Sequence, residues 1–179
     1  MIEASESLRG AKVKPSILVH GSVFLVLSTS SIAQQHATCE GPQLGSWTLL
    51  SIETQDMETN QKNNLLGVHP SGYLSYGSDC RMYSILTKES RAGPAQLVAT
   101  DPESIALYRG LISYAGTYSV DGNSITHHIQ ASWNQAWTGT TQVQQFNIDG
   151  TTLYMRTGLT KSPLTGKQSS TVLIWTRTE

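Results

Sequence analysis

Between Tyr114 and Ile148 the chain carries Tyr114, Tyr118, His127, Trp133, Trp137 and Gln144. Phenol, imidazole and carboxamide groups act as neutral hydrogen-bond donors and acceptors, and the first two also pass protons. With Tyr73, Tyr76 and Tyr83 they supply apolar rings with polar tips, the chemistry of a pocket for a small hydrophobic or amphipathic molecule. For each tyrosine, ordinary core packing is the competing reading. For His127 the functional reading is a polar anchor or proton donor in a cavity, and the alternative is a core histidine bonded to a neighbouring strand. Trp133 and Trp137 flank the polar Asn134 and Gln135 and are expected to rim an opening.

Other chemistries find little support. His127 and His128 are adjacent, so on a strand they face opposite ways and cannot share one metal. No further ligand stands at a sensible spacing, and no metal or cofactor is expected. There is no serine in a nucleophile elbow and no Gly-rich phosphate loop. Asp79, Asp101, Asp121 and Asp149 sit at turns or a helix start, where bonding to backbone explains them.

The elements that must position these groups are strands. Tyr114, Tyr118, Ile125, Thr126 and Ile129 favour strands, and Asp121-Gly122 or Gly122-Asn123 supplies a hairpin turn between them. A two-residue turn puts Tyr114, Gly116, Tyr118, Ile125, His127 and Ile129 on one face; a three-residue loop would reverse the pairing. Further strands are predicted over Leu44–Ile52, with Trp47, Leu49 and Ser51 on one face, and over Tyr73–Tyr76 and Arg81–Thr87. Others are predicted over Gly139–Ile148, Thr151–Thr157 and Ser170–Thr176. Thr54–Asn64 reads as a long polar loop that could form a lid. Asp101-Pro102-Glu103 starts a helix predicted to run from Pro102 to about Ile112, with Ile105, Tyr108, Leu111 and Ile112 packing on the barrel or plugging its end. Eight strands and one short helix predict an all-β, eight-stranded antiparallel barrel, with an open sandwich as the alternative.

The first 33 residues read as a signal peptide. Arg9, Lys12 and Lys14 precede an apolar run from Ile17 to Leu27, and Ser31-Ile32-Ala33 places small residues at the cleavage positions. An uncleaved tail is the alternative. The run is too short to cross a bilayer, so no stable membrane insertion of the mature chain is expected. Residues 34–43 form an N-terminal extension and residues 44–179 one barrel domain, secreted or periplasmic. A net charge of −1, with no Lys or Arg cluster, excludes nucleic acid as a partner. Cys39 and Cys80 are an even pair in an exported chain and read as a disulfide, worth about 4 kcal/mol for a loop of that length. In the cytosol they would be buried free thiols.

With the strands placed, Gly45-Ser46-Trp47 resembles the Gly-x-Trp signature of lipocalins. Longer blocks are similar to those of the lipocalin-like domain family: Gly67 to Tyr76 (GVHPSGYLSY), Tyr114 to Tyr118 (YAGTY), Thr126-His127-His128, Trp137 to Gln142 (WTGTTQ) and Ile174 to Arg177 (IWTR). The resemblance covers roughly Leu44 to Arg177 and implies a calycin-type barrel with a central cavity. It assigns Trp47 to packing across the barrel floor. Two positions depart from the family pattern: Cys80 stands where Gly is usual, and Gln144 where Arg is common. Losing that Arg removes a cation from the cavity and weakens any anion-binding or acid-catalytic role implied by the resemblance.

Three functions follow as expectations. The first is a binder of a small amphipathic molecule, with Tyr114, Tyr118 and His127 lining its cavity. The second is a cofactor-independent cyclase or isomerase using the same cavity, with His127 or a tyrosine transferring a proton. The third is a structural or partner-binding module whose barrel is filled. The oligomeric state is not readable from these residues.

Overall fold

A computed structural model describes residues 38–162 and 165–178. The expected signal peptide lies outside the described residues. In chain order the elements are β1 (Gly45–Asp56), β2 (Lys62–Asn63), β3 (Ser71–Tyr76), β4 (Arg81–Thr87), α1 (Asp101–Arg109), β5 (Leu111–Asp121), β6 (Ser124–Ser132), a 3-10 turn (Gln135–Trp137), β7 (Thr141–Asp149), β8 (Thr152–Thr157), β9 (Thr160–Lys161) and β10 (Gln168–Arg177). Neighbours pair antiparallel from β1 through β3 to β8 and on to β10. β10 pairs back with β1 and closes an eight-stranded barrel. The two-residue strands β2 and β9 extend β1 and β10 at one end.

The β5–β6 hairpin follows the expected register. Gly122 takes φ +57 in the turn between Asp121 and Ser124, and Tyr118 stands opposite His127 with both side chains inward. Gln130 is the extra residue of a bulge, because Ala115 pairs with Ala131 while Gly116 pairs with Ile129. Glycine is required at 116: a Cβ there would sit 2.0 Å from the His128 carbonyl oxygen and 3.0 Å from the Gln130 nitrogen. Neither backbone atom can swing aside as a side-chain tip could. Gly116→Ala should therefore destabilise the fold by roughly 3 kcal/mol or more in chemical unfolding. A loss under about 1 kcal/mol would mean that the bulge opens freely.

One end of the barrel is packed shut. Trp47, Tyr76, Ile125, Leu153 and Trp175 are buried there, and the segment before β1 crosses beneath them with Gln43 buried. Trp47 donates its indole N–H to the Gln43 carbonyl at 2.9 Å. The Arg177 guanidinium stacks 4.2 Å from the Trp47 ring and donates to the Leu44 and Pro42 carbonyls at 2.8 and 2.7 Å. A Cys39–Cys80 disulfide ties the crossing segment to the β3–β4 turn. Cys80 adopts φ +61, a left-handed conformation that explains why Gly suits this position.

Three expectations need correction. A bulge between Leu49 and Ser51 shifts the β1 pattern, so Ile52, Thr54 and Asp56 follow Trp47 and Leu49 inward and Ser51 does not. The supposed loop after Thr54 is instead the end of β1 and a tight turn. Asp56 accepts from the Glu58 and Thr59 backbone N–H groups at 2.9 and 3.1 Å, and Lys62 and Asn63 pair back with β1. Its inward residues are polar, which hid the alternation. The helix starts at Asp101 with Thr100 as its N-cap and ends at Arg109, so Leu111 and Ile112 belong to β5. It buries none of its residues, leaving Ile105 53% and Tyr108 47% exposed, and is no plug.

Candidate functional site

The barrel interior is filled at the closed end and hollow at the other. A cavity of about 310 Å³ opens where β1 ends and where β7 and β10 begin. Ile52, Leu86, Ile112, Leu173, Tyr114 and Trp137 give it apolar walls. Thr54, Thr157, Thr171 and Gln144 add polar groups at intervals, and Lys161 is the one charged side chain among the described lining residues. Inward positions of β1, β7, β8 and β10 become polar toward this end, with Thr54, Asp56, Gln144, Thr157, Ser169 and Thr171.

Below the cavity lies a buried chain of three neutral groups. The Tyr76 hydroxyl is 2.6 Å from His127 Nε2, and the Tyr114 hydroxyl is 3.2 Å from His127 Nδ1. A neutral imidazole has one N–H and one lone pair, so His127 donates to one tyrosine and accepts from the other. Burial, with a smaller push from His128, lowers the His127 pKa to about 3. Burial also raises the Tyr114 hydroxyl to about 12, against hydrogen bonds from Gln144 and Ser84 that oppose the shift, and pushes Tyr76 well above the ordinary phenol value. All three groups are thus uncharged near pH 7. Tyr114 is the member of this chain that reaches the cavity wall. The arrangement holds its hydroxyl in place among His127, Gln144 and Ser84.

A family profile described as the lipocalin-like domain matches residues 44–178. The chain belongs to the lipocalin-like domain family. No match was found among curated proteins or among solved structures.

In this lipocalin-like barrel, three of the nine candidate ligand residues, Tyr114, Trp137 and Gln144, line the cavity. Tyr76, Tyr118 and His127 do not. They share the inward face but form the floor beneath it: the Tyr118 hydroxyl donates to the Gly77 carbonyl at 3.0 Å and its ring packs 4.8 Å from Tyr76. His127 is fully buried with a tyrosine on each nitrogen, so the expectation that it lines the cavity is corrected. Its Nδ1 stands 3.2 Å from the Tyr114 hydroxyl, which does line the cavity. Trp133 stands behind Trp137, ring centroids 5.0 Å apart and edge-on, and it braces the rim from outside the lining. Tyr73 and Tyr83, 56% and 53% exposed, point outward and are removed from the site. Each sits on the odd face of a strand whose alternate residues, Leu74 and Tyr76 or Met82 and Ser84, are buried.

The rim carries an ion pair: Lys167 Nζ lies 2.9 Å from Asp56 Oδ2. That contact, with the Thr59 and Glu58 N–H groups, lowers the Asp56 pKa to about 2. A second concavity, about 550 Å³, lies outside the closed end beside the disulfide, walled by Thr38, Glu40, Asp79 and Ser119. Tyr118 reaches it. Lining residues missed in the sequence include Ile52, Leu86, Ile112, Leu173 and Lys161. The first four carry only the alternation of any inward strand, and Lys161 carries no signal, falling in an irregular stretch before Pro163. Among the described residues no group of three His, Cys, Asp or Glu side chains could hold a metal, and no helix is long and apolar enough to cross a membrane.

Proposed function

We propose that the chain is an exported barrel that binds a small amphipathic molecule in its open-ended cavity. The cavity carries this reading: apolar walls, a few convergent polar groups and access from one end are what a small-molecule site requires. Its volume equals about ten water molecules' share of the liquid, so the ligand is small or leaves part of itself at the mouth. Affinity comes chiefly from apolar burial, about 0.8 kcal/mol per methylene before the cost of association. Export is supported by the Cys39–Cys80 bridge, which persists in oxidising compartments. The hollow end counts against a filled, purely structural barrel.

The test uses a neutral fluorescent probe, N-phenyl-1-naphthylamine. Wild-type chain should bind it with a Kd on the order of micromolar. Leu173→Trp, which places an indole in the cavity, should weaken binding about tenfold or more without lowering the melting temperature by more than a few degrees. Equal affinity in the variant would remove the cavity as the site.

The Tyr76–His127–Tyr114 chain favours one second reading, a cofactor-independent isomerase or cyclase in which the Tyr114 hydroxyl exchanges a proton with substrate. His127 would act through Tyr114, since its own nitrogens are covered. A product isomer made by wild type and lost in Tyr114→Phe, read by mass spectrometry, supports catalysis; recovery of unchanged ligand supports binding.

A further inference from the structure

Among the described residues that line the cavity one is charged, Lys161. Lys161, on β9 at the mouth, lines the cavity and has no acidic partner among the described residues, whereas Lys167 nearby is neutralised by Asp56 at 2.9 Å. Lys161 pairs through its backbone with Gln168 on β10, which holds its strand at the rim. Thr157, Thr160 and Thr171 share the lining with it, as do the buried Leu86, Ile112 and Tyr114. An amphiphile with an apolar body and an anionic end would therefore enter tail first, its charge stopping at Lys161.

We propose that the ligand of this cavity is an anionic amphiphile, a carboxylate carried on a short apolar chain, selected by Lys161. This rests on the binding reading above and narrows its ligand class. It also supplies, from the β8–β10 connection, the cation that Gln144 fails to provide from β7. A cationic headgroup finds no free acid among the described residues lining the cavity, and the nearby Asp56 carboxylate is occupied by Lys167 and by backbone N–H groups.

Decanoate and decanol share an apolar chain and differ in charge, so competition of each against N-phenyl-1-naphthylamine near pH 8 reads headgroup preference directly. Wild type should bind decanoate about tenfold more tightly than decanol, the scale of one charge-assisted contact. Raising salt should narrow that gap, since the mouth is exposed to solvent. In Lys161→Gln the preference should fall to about threefold or less, and Lys161→Arg should restore it. Lys161 is exposed, so neither variant should alter the melting temperature by more than a degree or two. If probe and decanol bind but decanoate gains nothing, or if the preference survives Lys161→Gln, the proposal is wrong and the cavity reading stands. If neither probe nor either chain binds, both are wrong.

Discussion

Acidification from pH 6.5 to 4.5 should cost the folded chain up to about 1.4 kcal/mol per pH unit, and His127→Gln should remove most of that slope. The folded pKa of His127 is about 3 and the ordinary value is 6.5. Between those limits the unfolded chain binds a proton that the folded chain does not, so unfolding is favoured as pH falls. The stability is complete above the ordinary value and is lost as pH drops toward the folded one. Urea unfolding followed by tryptophan fluorescence measures it. The window stops at 4.5 because Asp56, Glu89 and Glu103 also have lowered pKa values, and their protonation adds to the loss below it. At neutral pH, His127→Gln should itself be destabilising by roughly 2 to 4 kcal/mol, since two buried tyrosine hydroxyls lose a well-placed partner. Identical pH slopes in wild type and variant would show that His127 is protonated in the native state or that it is not sealed under Tyr76 and Tyr114.

Removing the Cys39–Cys80 bridge should lower stability by about 4 kcal/mol and the melting temperature by about 10 °C, as Cys39→Ser with Cys80→Ser or as reduced wild type. The bridge spans a sequence separation of 41 and ties down a segment whose local bonds include Cys39 N–H to the Ser78 carbonyl at 2.8 Å. Without it, the left-handed backbone at residue 80 loses the constraint that offsets its strain. The bridge and the cavity are at opposite ends of the barrel, so folded but reduced protein should keep its neutral-probe affinity. An unchanged melting temperature would contradict the assignment of the bridge. Lost binding in chain that is still folded would contradict the separation of closed and open ends.

The β5–β6 hairpin was legible because turn chemistry and two-residue periodicity agreed, and together they placed Tyr114, Tyr118 and His127 on one face. Periodicity alone does not say how far along a barrel the interior is filled, so it could not separate the lining residue Tyr114 from the floor residues Tyr118 and His127. Tyr73 and Tyr83 misled for a related reason: a ring with a hydroxyl suits an outer face as well as a pocket. In β1 the bulge at Leu49 and Ser51 changed which residues face inward, and the polar inward pair Thr54 and Asp56 disguised a strand as a loop. The helix was extended too far because Leu111 and Ile112 continue its spacing, while Gly110 ends it. Lys161 has no pattern to betray it; it reaches the cavity only because β9 folds back along β10.

Whether ligand enters the end formed by the close of β1 and the starts of β7 and β10 is read by methyl-resolved NMR of the chain titrated with decanoate. Entry there should give saturable shifts at Ile52, Leu86, Ile112 and Leu173, with Ile125 and Leu153 at the packed end unmoved. Shifts confined to Val120 beside the disulfide cleft, or to Ile85 on the outer face with Tyr73 and Tyr83, would contradict it.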